Sequence, residues 1–385
     1  MTRRTLFVLF VLAAALVGTA ARAASIVPAD DSQVIETLPA KSAARADERR
    51  LRQAVLSDPR DARSAVQLAT RLMGQARELG DPRLAGQAMA ALQTWRDPAT
   101  APGDVLLMQA TVQQYLHDFD GSVRLLERLL ARDARQPQAW LTLATVRRVQ
   151  GRYADSDLAC AQLLALGSAF HGTACRAENE ALRGEFQRAR LRFERLLAEP
   201  RLDAGTRNWL LTSLAELEER AGRVDAADAA FKAALAARAD GYSLIAYADY
   251  LIDQRRETDA LALLREQART DGVLLRLAIA GTRSKAPRAA DDAREMRERI
   301  AQANLRPQAQ SVHAREQALF ALWVDAEPQR ALALARGNVR LQREPIDLLV
   351  LAQAAVAARQ PAARQEAGRL SKEMGLHDRR LDELL

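Results

Sequence analysis

Ala144-Thr-Val-Arg-Arg-Val-Gln-Gly151-Arg-Tyr153-Ala-Asp-Ser156-Asp-Leu-Ala-Cys160-Ala-Gln-Leu163 is the stretch that decides the fold. A small residue is followed by a Gly, a large residue, a second small residue and two apolar ones. The same order returns as Ala177, Gly184, Phe186, Ala189, Phe193 and Leu196, and again as Ala215, Gly222, Val224, Ala227, Phe231 and Ala234. Each position has a physical reason. Small residues let two helix backbones cross at the usual ~8–10 Å. A Gly just past a helix supplies the left-handed turn that ends it. The unit is therefore helix, tight turn, helix.

Sliding this frame along the chain places nine units, with large-residue anchors at Pro82, Phe119, Tyr153, Phe186, Val224, Glu257, Ala290, Pro328 and Pro361. The small anchors three residues later are Ala85, Ser122, Ser156, Ala189, Ala227, Ala260, Ala293, Ala331 and Arg364. Units two to six fit well. Units seven to nine depart, with Arg297, Gly368 and Ser371 where apolar residues are expected, so there the helix pairs are predicted but not their register. Asp81-Pro82, Glu327-Pro328 and Glu344-Pro345 set Pro in a first helical turn, where its missing N–H costs nothing. Lengthened loops are expected after Leu92, Leu196 and Ile300.

This order resembles the tetratricopeptide repeat, a helix–turn–helix unit of about 34 residues. The resemblance implies an all-α, right-handed superhelical solenoid of antiparallel helix pairs over residues 44–378, with residues 379–385 as a C-terminal cap. Single units cannot bury their apolar faces alone, so stacking makes one continuous core.

Composition agrees. The chain has 385 residues, 49% apolar and only 4% aromatic. The apolar share is mostly Ala and Leu, both strong helix formers, whereas sheets and base-stacking surfaces need β-branched residues and rings. Formal net charge is +7, and acids and bases alternate along the helices without a one-sign block. A nucleic-acid partner is not expected, because tracking phosphates needs a basic patch.

The first residues read as an address. Arg3-Arg4, an apolar run from Leu6 to Val17 and the Ala21-Arg22-Ala23 site have the layout of a secretory signal peptide, cleaved after residue 23. A 12-residue apolar run spans only ~18 Å as a helix, short of a ~30 Å hydrocarbon core. Cleavage removes Arg3, Arg4 and Arg22 and leaves +4. Residues 24–43, with Pro28 and Pro39, read as a flexible lead-in. The mature protein is expected to be soluble and exported, for example to a periplasm, with no membrane span.

No catalytic, cofactor or metal motif is legible. His117, His171, His313 and His377 lie in separate units without ligand spacing. There is no phosphate-binding loop and no nucleophile elbow. Asp30-Asp31 and Asp291-Asp292 are adjacent pairs, and adjacent helical residues do not face one site. Two function classes follow. The resemblance implies a non-enzymatic scaffold that binds a protein or peptide along its concave face, as exported members do in outer-membrane assembly or polysaccharide secretion. The other class is an enzyme whose site is assembled across several helices.

Cys160 and Cys175 are the only cysteines. In an oxidising compartment they are expected to bond to each other across consecutive helices. The alternative is two buried thiols.

In the family the concave wall is built from first helices. Carrying that register over names Thr111, Gln114, Tyr115, Thr145 and Arg148, then Glu178, Glu216, Glu219, Tyr242, Asp249 and Asp253. An acidic middle stretch with tyrosines suits a basic, arginine-bearing partner segment. Alternatively, nearby arginines such as Arg176, Arg220 and Arg255 pair these acids on a solvated surface.

Overall fold

The computed structural model describes residues 43–305 and 314–385. The readings made on the signal peptide, on the lead-in through residue 42, on Asp30-Asp31 and on His313 lie outside the described residues. The chain divides into two compact units, Met1–Arg49 and Arg50–Leu385.

Twenty α-helices and no strand occur among the described residues. Helix α1 is Ala43–Ser57. Nine pairs follow: α2 (Ala62–Leu79) with α3 (Pro82–Ala91), α4 (Gly103–Tyr115) with α5 (Phe119–Arg132), and α6 (Pro137–Val149) with α7 (Tyr153–Ala165). Next come α8 (Ala169–Leu182) with α9 (Phe186–Leu197), α10 (Ala204–Arg220) with α11 (Val224–Ala237), and α12 (Gly241–Asp253) with α13 (Glu257–Leu264). The last are α14 (Asp271–Ser284) with α15 (Ala289–Ala303), α16 (Ala314–Trp323) with α17 (Pro328–Asn338), and α18 (Pro345–Ala357) with α19 (Pro361–Met374), before the short α20 (Arg379–Asp382).

The sequence pattern explains these pairs. Ala85, Ser122, Ser156, Ala189, Ala227, Ala260 and Ala331 are all fully buried where the helices of a pair cross. Ala144, Ala177 and Ala215, on the facing first helices, are equally buried. Asp61, Asp81, Asp118 and Asp203 accept backbone N–H bonds at helix starts, satisfying donors that the helix leaves open.

In units seven and nine the frame is displaced. Arg297 and Arg364 are exposed; in α15 Ala293 and Ile300 are buried where the frame sets them and Met296 takes the inward place of Arg297, while in α19 Ala363 and Ala367 take the inward places one residue earlier in the chain.

Each unit carries one left-handed residue in the turn between its helices. It is Gly at 80, 151, 184 and 222, but His117, Arg255, Lys285, Ala326 and Arg359 in the other units. The turn geometry therefore outlasts the glycine signal.

First helices touch first helices along the whole row, from α2 against α4 to α16 against α18, and so form the inner wall. The row coils tightly. A Cβ on Gly80 would lie 3.4 Å from Thr270, at the start of α14. The Arg343 N–H donates to the Val149 carbonyl at 2.7 Å, and the His377 N–H to the Leu182 carbonyl at 2.9 Å. The first two of these contacts join the end of a first helix to the start of the sixth unit beyond it, and the third joins the end of α8 to the C-terminal segment that follows the ninth unit. Successive coils are therefore in contact, and one core runs from Tyr153 and Leu182 through Ile279 and Leu319 to Leu376 and Leu381.

Cys160 of α7 and Cys175 of α8 form a disulfide, with a Cα–Cα distance of 5.6 Å and Ala144, Ala159 and Leu163 packed around it.

Candidate functional site

The inner wall carries the residues picked from sequence, and coiling changes what surrounds them. Thr111 and Thr145 bond back to Leu107 and Leu141 within their own helices. Gln114 is half-buried. Tyr115 donates its hydroxyl to the Ala76 carbonyl at 3.0 Å, and burial raises its pKa.

From α6 to α12 a polar network crosses four first helices. Arg148 pairs with Glu178 at 2.5 Å and reaches Asn179 at 3.3 Å. Glu178 also accepts from Trp209 Nε1 at 3.1 Å and Ser213 Oγ at 3.3 Å. Glu216 accepts the Tyr242 hydroxyl at 2.6 Å. Burial raises the Glu216 pKa, and the nearby charge of Arg220 opposes it. The Glu216 charge holds the Tyr242 phenol well above its ordinary range. The Tyr242 side is nonetheless open, with 65% of the residue exposed.

The remaining acids meet arginines that neighbouring sequence does not supply. Asp249 takes both arms of Arg276, at 2.8 and 2.7 Å, and Arg276 is only 5% exposed. Glu219 and Asp253 both face Arg380, at 2.7 and 3.5 Å, and Asp378 takes its other arm at 2.7 Å. Burial among like charges pushes Glu219 up to about 8 and Asp253 up to about 6. Arg176 and Arg255 are exposed, and of the three arginines named from sequence only Arg220 lies within this network.

Sequence reasoning missed Arg276, Arg315, Arg380, Glu344 and Asp347. Arg315 pairs with Asp347 at 2.5 Å and also with Glu344. Burial pushes Asp347 up to about 6. Arg276 and Arg315 pair across adjacent first helices, 27 to 32 positions apart, whereas Arg380 reaches Asp253 from 127 positions away, where no local signal marks it. A small cavity of about 30 Å³ lies along the inner wall of α12, α14, α16 and α18, lined by Asp253, Ile279, Arg283, Trp323 and Ile346.

Among the described residues, no group of three or more His, Cys, Asp or Glu is arranged to hold a metal ion. No helix there is long and apolar enough to cross a membrane.

No family model matches the sequence, and no curated protein matches it. Solved structures do. The APC/C hetero-tetramer Cut9–Hcn1 aligns with a TM-score of 0.51 at 12% identity, over 89% of this chain and 67% of that one. The chain has the tetratricopeptide-repeat fold. A tetratricopeptide repeat protein from Parabacteroides merdae aligns with a TM-score of 0.49 at 14% identity, over 62% of this chain and 92% of that one. The widely conserved type IV pilus biogenesis factor PilW aligns with a TM-score of 0.37 at 18% identity, over 52% of this chain and 92% of that one. At these identities the likeness is one of fold alone.

Proposed function

We propose that this repeat protein is an exported, non-enzymatic scaffold that receives an arginine-bearing segment of another envelope protein on its inner wall. The observation that carries the reading is the Glu216–Tyr242 pair. A largely exposed aromatic ring is oriented by a carboxylate, with Glu178 and Glu344 close enough for their charges to act on Glu216. A ring beside acids offers a guanidinium both a stacking face and a charge partner. The support for export is the signal-peptide layout of residues 1–23. The process served is envelope assembly or polysaccharide secretion, and the captured partner decides between them.

The test is affinity capture from envelope extracts with Glu216→Gln and Tyr242→Ala. Glu216→Gln keeps the oxygen that accepts from Tyr242, and Tyr242→Ala truncates a largely exposed ring, so folding is spared. Loss of one captured protein, in a salt-dependent way, is expected; unchanged capture by the folded variants would move the binding surface elsewhere. Reversing Glu219 or Asp249 is unsuitable, because it strands Arg380 or Arg276. Intact mass of the exported protein should show loss of residues 1–23.

A further inference from the structure

The segment after Gly375 lies along the rim of the inner wall. Its His377 and Arg379 sit over Gly184 and Gly222, as Met374 at the end of α19 sits over Gly151, and a Cβ at any of these turn glycines of three consecutive units would come within 3.0 Å of them. Leu376 and Leu381 are buried beneath the segment. Arg379 stays outside, with its guanidinium on Glu383 at 3.0 Å. Arg380 turns inward, to Glu219 of α10 and Asp253 of α12. The wall thus supplies two acidic side chains for one guanidinium, and Asp378 of the segment itself adds a third.

Two features suit this contact to exchange. Gly375 is left-handed (φ 68°), with open space where a side chain would be, so the segment has a hinge at its root. Glu219 and Asp253 belong to the wall and stay when Asp378 leaves with the segment, so the site keeps two acids for another guanidinium.

We propose that Leu376–Leu385 is a strap that fills in cis an arginine site formed by Glu219 and Asp253, and that an arginine-bearing partner segment displaces it. The partner's chemistry rests on the reading given under Proposed function. The strap closes the rim when no partner is present, and the partner's arginine takes the place of Arg380. A binder competing with a tethered occupant loses affinity by the fraction of time the site is filled.

The test uses the full chain and, as probe, a fluorescent peptide with the sequence of residues 376–385, beside a version with its second Arg changed to Ala. Arg380→Ala should bind the Arg peptide about tenfold more tightly than the wild type does and should not distinguish itself with the Ala peptide. Equal affinity of both chains, or equal affinity of Arg380→Ala for both peptides, would overturn the proposal. A second measurement does not depend on the variant. Excess Arg peptide added to the wild type should speed hydrogen exchange at the His377 amide and leave the Arg343 amide unchanged. No change at His377, or the same change at both, counts against displacement. The probe comes from this chain, so its failure leaves the envelope-partner reading to stand or fall on the Glu216 and Tyr242 variants.

Discussion

Glu219→Gln should make the protein more stable at alkaline pH and leave it unchanged in acid. Glu219 sits on α10, its side chain 9% exposed, facing Arg380 and Asp378 of the C-terminal segment, Asp253 of α12 and Glu216 one turn earlier. Burial, helped by three like charges and opposed by Arg380, raises its pKa from 4.5 to about 8. The folded chain thus keeps a proton there that the unfolded chain releases above about 4.5. Stability attributable to Glu219 is full below that value, falls by about 1.4 kcal/mol per pH unit as pH rises, and levels off once pH passes about 8. The accumulated cost is of order 3–5 kcal/mol. Gln keeps the carbonyl oxygen that meets Arg380 and carries no proton to lose. Thermal melts of wild type and variant should coincide at pH 4.5 and separate to a few degrees at pH 8.5, the variant higher. Parallel curves across that range would refute the reasoning and place Glu219 in contact with water.

The Cys160–Cys175 disulfide closes a 15-residue loop, which in the chain-entropy model stabilises by about 3 kcal/mol; thiol titration of the denatured, unreduced exported protein should find no free thiol. Asp249→Ala strands the buried Arg276 guanidinium and should cost about 3–5 kcal/mol, much of it recovered in Asp249→Ala/Arg276→Leu, as chemical denaturation would show. Arg255→Gly relieves a left-handed non-glycine residue and should raise stability by up to about 1 kcal/mol, whereas Gly222→Ala, beside Arg379, should lower it; both are readable as shifts in denaturation midpoint.

Much of the fold is legible locally. Ser156 and Ala227 are small because helices cross there, and Gly151 and Gly222 mark the turns, so pair boundaries follow from a few residues each. The register of units seven and nine is not legible in the same way. Lys285 and Arg359 hold left-handed turns without a glycine to announce them, and Met296 and Ala363 replace the frame's positions by one residue. Inner-wall membership of Glu178, Glu216 and Tyr242 is what the resemblance to the repeat family implies, since in that family the first helix of each pair faces inward.

The sequence by itself determined an all-helical chain of repeated pairs, their turns and the row of first helices, because each rests on contacts between residues a few tens of positions apart. Only the tertiary structure decided which charges meet. The small rotation from unit to unit has no residue signature, and its sum brings the first and third turns against the seventh and ninth units and the fourth turn against the C-terminal segment. That sum sets Arg380 against Asp253, 127 positions earlier, and turns a wall read as acidic into one whose buried carboxylates are shared with distant arginines.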